Sequence, residues 1–399
     1  RSVETASGVL RFSRSPAFDA AELAERPEVH RLAVEQSNSS LMLDRAAILK
    51  LYRRPLPGPH PEVEIGRFLT DVAGFANTPP LLGSLDFEGE DGATTLAAAF
   101  GFVLNQGDGW AWTLEHLARE LETIVLEQEG EGEPVAGEPF GVYLQLAATI
   151  GQRTAELHRA FATPTDDPAF RPEPIEAADR RRWVASIEAE LDRATAIVER
   201  AARALEGDEA EAAKALIEAA PRLRQRIAGL GAVEVEATKT RLHGDYHLGQ
   251  VLIAKGDVYI LDFEGEPQRD LEERRAKTSP LKDVAGMLRS LDYGAVAALD
   301  RFAERDPVHL EEVRSLAATW REAAMRRFLD SYREHVVGCS SVPADRAAFD
   351  AVLELFLIEK AAYEIAYEAA NRPKWLGIPV RGVLGLLDPE QRKGVFGDG

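Results

Sequence analysis

A chain of 399 residues, 45% of them hydrophobic, exceeds a typical single domain and can bury the cores of two lobes. Its formal charge of −20, from 67 acidic against 47 basic side chains, excludes nucleic acid as the principal partner, because phosphate backbones attract clustered Lys and Arg. A single cysteine, Cys339, excludes an intrachain disulfide framework and a Cys-based zinc site; with neither a bilayer-length apolar run nor a signal-peptide pattern, the chain reads as cytoplasmic, with no membrane partner.

The opening residues 8–12 alternate apolar and polar like a strand, and the start at Arg1 without Met reads as a fragment of something longer. Glu35-Gln36-Ser37-Asn38-Ser39-Ser40 is a polar turn between apolar segments, followed by a strand at 46–52 that carries Lys50 among apolar neighbours. In a kinase-like lobe such a turn, here Ser37, Asn38 and Ser39, lies over the ATP phosphates, and such a Lys reaches their oxygens. Alone, the turn lacks a Gly-x-Gly-x-x-Gly pattern, and Lys50 equally fits a strand edge. A Pro-rich break at 55–61 leads into a helix with Ile65, Phe68, Leu69 and Val72 on its apolar face. An acid on this helix should pair with Lys50. Glu64 is the first choice and Glu62 the second, although either is equally readable as a first-turn Glu favoured by the helix dipole.

Strands are expected at 80–87 and 94–103. Periodicity then breaks at 104–109, before a Trp-rich helix starting at Trp110. This break is the expected hinge, with backbone groups of Phe102, Val103 and Leu104 meeting adenine. It divides a β-rich N-lobe, 1–104, from a helical C-lobe, 105–399. Residues 130–137 form an acidic, Gly-rich loop. Helices are expected at 143–161, at 281–298, 308–335 and 346–371, and at 180–207 and 209–230, the last two as an antiparallel pair reading as a solvated insert.

Within the helical part lies the stretch 241–267. Asp245 is followed five positions later by an amide, Gln250, and twelve positions after that by Asp262, which closes the apolar run 258–261. This is the spacing of a kinase catalytic loop, HRDxxxxN, followed by the metal-binding Asp of DFG. One carboxylate orients or accepts the proton of the attacking hydroxyl; a second carboxylate and an amide oxygen hold Mg²⁺ against the phosphates, and Gln can stand in for Asn. Separately, HGD is a common turn and an Asp after a strand is a common cap. In order, they point to a kinase-like active site.

With Lys50, His243-Gly244-Asp245 and Asp262-Phe263-Glu264 together, the chain resembles the aminoglycoside-phosphotransferase and choline-kinase type of eukaryotic-like kinase, and more closely bacterial maltokinase. The blocks carrying the closer resemblance are Asn105-Gln106-Gly107-Asp108-Gly109-Trp110, Asp262-Phe263-Glu264-Gly265-Glu266-Pro267, the segment 273–290 and the segment 363–375. The resemblance implies an α+β, bilobal, protein-kinase-like fold with ATP and Mg²⁺ as cofactors. It makes Asp245 the catalytic base, Gln250 and Asp262 the Mg²⁺ ligands, Lys50 the phosphate contact and Glu64 the residue holding Lys50. His243, set beside the acceptor, packs or hydrogen-bonds within its loop rather than transferring protons. The implied reaction moves the ATP γ-phosphate to the anomeric hydroxyl of maltose, with trehalose synthase as a possible associated or fused partner. One departure is the missing Trp-Phe and Gly-Lys signature of the N-terminal cap, which reads as truncation or as the kinase part of a fusion.

On the last of these helices Glu364, Tyr367, Glu368 and Asn371 recur at three- and four-residue spacing, with Arg372 beside them and Trp375 just beyond. Aromatics for pyranose faces and polar groups for hydroxyls suit a sugar site; the plainer alternative makes Tyr367 and Trp375 core aromatics. Two other readings stand beside maltose: another small-molecule kinase acting on glucosamine or an aminoglycoside, and an inactive ATP-binding scaffold, which has no chemical need for Lys50, Asp245, Gln250 and Asp262 together.

Overall fold

The computed structural model describes residues 1–21, 23–32, 38–128, 140–305 and 308–396. The chain forms an antiparallel sheet lobe and a helical lobe, an α+β, protein-kinase-like arrangement. Strands β1 (Ser2–Thr5), β2 (Gly8–Arg14), β3 (Val29–Arg31), β4 (Asn38–Leu43), β5 (Ala47–Tyr52), β6 (Leu81–Gly89) and β7 (Gly92–Gly101) make one sheet in the order β1-β2-β6-β7-β5-β4-β3. Helix α1 (Pro61–Arg67) is inserted between β5 and β6, and Pro61 suits its first position, where the N–H has no intrahelical partner.

The β4–β5 hairpin turns on Asp44 and Arg45, both left-handed at φ 50° and 55°, the backbone that matches the twist of the flanking strands. Its register sets Ser40 opposite Lys50 and Asn38 opposite Tyr52, so the end of the polar turn lies beside the lysine strand. Tyr52, Leu81, Ala98 and Phe100 bury against Val63 of α1 in a small core of their own. That core fixes α1 relative to β5. Ser37, with Glu35 and Gln36, and the loop expected at 130–137 lie outside the described residues.

The helical lobe holds α2 (Gly109–Gln128), α3 (Gly141–Phe161), α4 (Ala177–Ala201), α5 (Gly207–Gly231), α6 (Leu271–Arg275), α7 (Leu281–Ala303), α8 (Leu310–Val336), α9 (Arg346–Asn371), α10 (Gly377–Gly385) and α11 (Pro389–Phe396). Two short pairs complete it, β8 (Glu173–Pro174) with β9 (Thr238–Lys239), and the hairpin β10 (Val251–Ala254) with β11 (Asp257–Ile260). Much of α7 and α9 is buried on every side, as expected of helices apolar around most of their circumference. No helix among the described residues is long and apolar enough to cross a membrane.

The α4–α5 pair is not the solvated insert its charges suggest. Ile187, Leu191, Ala194 and Val198 of α4 and Leu216, Leu223 and Ile227 of α5 belong to the main core. Trp183 meets Phe356 of α9 edge-on at 5.3 Å, and Arg226 donates twice to Glu354, at 2.6 Å each. Most of the charges occupy the outer faces, with Asp179 and Arg180 of α4 buried. A continuous Ala/Leu/Ile stripe at helical spacing lies between them and packs inward.

Candidate active site

The catalytic loop between β9 and β10 is short of regular structure, so its backbone donors need partners. Asp283, 2% exposed at the start of α7, supplies them: His243 N donates to Oδ2 at 2.8 Å and Gly244 N to Oδ1 at 2.9 Å. His158 of α3 approaches the same carboxylate at 3.3 Å. Burial alone would raise the Asp283 carboxyl, but the hydrogen bond from His158, the charges nearby and the Gly244 amide hold it below the usual value. Gly286, one turn on, has to be glycine, because a Cβ there would lie 2.5 Å from the Tyr246 carbonyl oxygen. Asp245 is thus presented from a loop clamped to α7.

His243 is 1% exposed; Nε2 donates to the Leu261 carbonyl at 2.7 Å, and Nδ1 accepts from Asp245 N at 3.3 Å. It fastens the loop and does not face the cavity beside Asp245. Its placement among acceptor-contacting residues is therefore corrected.

Across the cleft, Lys50 Nζ lies 2.7 Å from Glu62 Oε1 and 2.9 Å from Asp262 Oδ1. The first choice from sequence, Glu64, is overturned. Glu62, in the first turn of α1, points at β5, where the Tyr52 hydroxyl also donates to its Oε2 at 2.7 Å. Glu64, two positions on, points away and meets Arg275 and Arg241 instead. Two residues on a helix differ by about 200°, so only one of the two can face the strand. Burial raises Glu62 even against the pull of Lys50; burial works the same way on Asp262, where Lys50 overcomes it and the carboxyl ends below its usual value.

Glu264 completes a cluster: carboxylate oxygens of Glu62, Asp262 and Glu264 lie within 4.8 Å of one another. Burial, then the negative charges of Glu62 and Asp262, push the Glu264 carboxyl up to about 8. Asn38 Nδ2 donates to Glu264 Oε1 at 2.5 Å, joining the end of the polar turn to the segment after β11 that bears Asp262, and Ser39 is half-buried beside it. Gln250 Nε2 lies 3.4 Å from Asp262 Oδ2. Crowded carboxylates with an adjacent amide form an oxygen-rich donor set that suits a hard divalent cation. The sequence had given no role to Glu264; its position two residues beyond Asp262 was the available signal.

The linker between lobes runs from β7 to α2. Phe102 N donates to the Ala46 carbonyl at 3.0 Å, the Val103 carbonyl accepts from Asn105 Nδ2 at 2.9 Å, and Leu104 is 62% exposed. Beyond it, Gln106 N donates to the Ile253 carbonyl at 2.7 Å and ties the linker to β10.

A cavity of about 370 Å³ opens beside Asp245, between α4, α9 and the segment that includes α6. From α9 its lining includes Glu359, Lys360 and Tyr363, none of them singled out from sequence, and Trp183 of α4 also lines it. Lys360 Nζ lies 3.6 Å from Asp245 Oδ1 and 3.3 Å from Glu266 Oε2. Burial would lower this ammonium, but Asp245 and Glu266 outweigh it and raise it. The residues expected to hold sugar lie further along α9. Glu364 accepts from Arg289 at 2.8 Å; Glu368 is 1% exposed and accepts from Arg372 at 2.6 and 2.9 Å and from Tyr293 at 3.2 Å. Arg372 caps the rings of Tyr367, at 5.3 Å, and Trp375, at 4.6 Å, while Asn371 donates to the Tyr367 carbonyl. These six gather into one cluster, and none lines the cavity at Asp245.

Residues 28–306, more than half the chain, match the family model APH, described as the phosphotransferase enzyme family. The chain belongs to this family. It is a phosphotransferase acting on an alcohol group. Among curated relatives, a glucosamine kinase of Streptacidiphilus jiangxiensis is 29% identical over 366 residues, covering 91% of this chain and 74% of the relative. One from Mycolicibacterium smegmatis is 28% identical, covering 91% and 80%. A solved structure of a glucosamine kinase in complex with glucosamine, ADP and inorganic phosphate superposes with a TM-score of 0.71 at 26% identity, over 96% of this chain and 80% of that one. These relatives are glucosamine kinases, and they lend no support to maltose or to association with trehalose synthase.

Proposed function

We propose that this phosphotransferase is an ATP-dependent sugar kinase whose acceptor is an amino sugar of the glucosamine kind. The observation that carries the reading is the placement of Asp245, at the head of a clamped loop, on the wall of a cavity large enough for a sugar. The charged lining is balanced: Asp179, Asp245, Glu266, Glu273, Asp283 and Glu359 against Arg182, Arg269, Arg274, Lys277, Lys282 and Lys360. Such a wall suits an acceptor with one positive charge or none, and disfavours a polycation such as an aminoglycoside. The glucosamine kinase relatives favour the amino sugar. Maltose remains a second reading on one observation, the resemblance of the 105–110 and 262–267 blocks to maltokinase.

In this mechanism Asp245 accepts the proton of the acceptor hydroxyl as that oxygen attacks the γ-phosphorus in line, the bond to the β–γ bridging oxygen breaks and ADP leaves. Lys50, held by Glu62, places its ammonium against phosphate oxygens. Asp262, Gln250 and Glu264 would hold Mg²⁺, which when bound neutralises charge on the phosphates. Asn38 and Ser39 close over the phosphates, and backbone at 102–104 meets the adenine. Lys360 and Tyr363 of α9 face the acceptor nearest the reacting hydroxyl, while the cluster of Glu364, Tyr367, Glu368, Asn371, Arg372 and Trp375 lies further along the chain, outside the cavity.

The test is ADP release from Mg-ATP with glucosamine, maltose, glucose and kanamycin supplied separately. Turnover with glucosamine above the others is expected. Turnover with maltose alone, giving an acid-labile phosphate, would move the acceptor to the second reading; release with none would refute the sugar-kinase reading.

A further inference from the structure

Glu64, displaced from the role first given to it, has partners that no step above uses. Arg275 donates to both of its carboxylate oxygens, Nε to Oε2 and Nη2 to Oε1, each at 2.8 Å. Arg241, 1% exposed at the entrance to the catalytic loop, adds a contact from Nη1 to Oε2 at 3.3 Å. These bonds run from α1 in the sheet lobe to the helical lobe. A second tie reinforces them: Phe68, directly after α1, stacks on Phe170 at 4.2 Å and 2°, and the Arg241 guanidinium lies 5.1 Å from the same Phe170 ring.

Helix α6, which carries Arg275, touches both halves of the site. Toward the nucleotide half, it abuts the loop before α1 at Gly58, where φ is +112° and a Cβ would come within 2.9 Å of Leu271 Cδ2. Arg274 donates to the Glu264 carbonyl at 3.2 Å, two residues beyond Asp262. Toward the acceptor half, Glu273 and Arg274 line the cavity, as does Lys277 just after the helix. On α1, Glu64 lies two positions from Glu62, the partner of Lys50. Helix α6 thus lies between the cavity lining and the helix whose Glu62 aims Lys50.

We propose that Glu64 and Arg275 form an interlobe clamp through which the nucleotide and the acceptor sugar change each other's affinity, an inference that rests on the sugar-kinase reading above. Both are positioning residues; neither touches a reacting atom. The paired, planar geometry matters, because a fork of two N–H groups on a carboxylate transmits orientation, which a single point charge does not. Linkage requires the effect to be reciprocal.

The experiment is two-substrate steady-state kinetics with ATP and glucosamine, or with maltose if maltose is the acceptor. It reads the factor by which saturating acceptor changes the KM for ATP. The wild-type factor should be about fivefold or more. Glu64→Gln and Arg275→Ala should each bring it toward one, the double variant should go no further, and Arg275→Lys should fall between. A pair that served only to stabilise the fold would lower the unfolding temperature and leave the factor unchanged. A wild-type factor of one, or a factor unaltered in both single variants, overturns the clamp. If Glu64→Gln does not fold, Arg275→Lys gives the same readout. A wild-type protein inactive on every sugar refutes the functional reading itself, whereas an active protein with an unaltered factor refutes only the clamp.

Discussion

Replacing Asp283 by Asn tests how the catalytic aspartate is held. The wild-type carboxylate takes two backbone N–H groups on separate oxygens, from His243 and Gly244, and a third contact from His158. Asparagine offers one oxygen and one NH₂ group, so one of the two amides at 2.8 and 2.9 Å would face another donor in a site 2% exposed. A stranded buried donor costs about 1–3 kcal/mol, and loss of the charge weakens the remaining bonds by about 1 kcal/mol more. The sum is a destabilisation of about 3 kcal/mol, read by urea unfolding at pH 7. Misplacing Asp245 by an ångström should also lower kcat about 100-fold. The pH dependence has a definite sign. The folded carboxyl lies below the unfolded value, so its contribution is present above about pH 4 and is lost as pH falls through the folded pKa. The gap between wild type and Asn should therefore narrow in acid. A difference within about 0.5 kcal/mol at pH 7 would show that the loop is not held by this carboxylate.

Glu62→Gln should raise the KM for ATP about tenfold with little change for the acceptor, since Lys50 would keep Asp262 but lose its buried counter-charge; an unchanged KM for ATP would mean Lys50 needs no second anchor. Lys360→Met should raise the acceptor KM and lower kcat, because the ammonium lies 3.6 Å from Asp245 on the cavity wall; kinetics matching wild type would remove it from the site. Trp375→Ala should leave the KM of both substrates unchanged, since the ring packs with Tyr293 and Arg372 outside the cavity. A clear rise in the acceptor KM alone would bring the ring into the sugar site.

Much of the architecture is legible in the sequence because periodicity and burial agree. The strands at β5, β6 and β7 and the helix α9 follow their apolar patterns closely. The spacing from Asp245 through Gln250 to Asp262 places all three at one locus because a short hairpin, β10–β11, returns the chain to where it left. Direction on a helix was harder to read. Glu62 and Glu64 fit the first turn of α1 equally well, and only the docking of α1 on β5 decides which faces Lys50. The α4–α5 pair misled for a related reason, since an Ala-rich stripe among many charges has little contrast in sequence yet packs closely. Nothing local in the sequence marks Lys360 and Tyr363, because their partners, Asp245 and Glu266, are about a hundred residues distant. Spacing alone puts Glu364 and Glu368 on one face of α9, but it carries no sign of their engagement by Arg289 and Arg372.

The central claim is that Asp245 activates a sugar hydroxyl for transfer from ATP. The most direct measurement follows phosphate transfer from Mg-ATP to glucosamine by ³¹P NMR, with wild type and Asp245→Asn side by side. The account predicts a sugar phosphate ester with the wild type and a rate at least about 100-fold lower with the variant, whose fold and ATP binding are retained. Comparable ester formation by both proteins would contradict it.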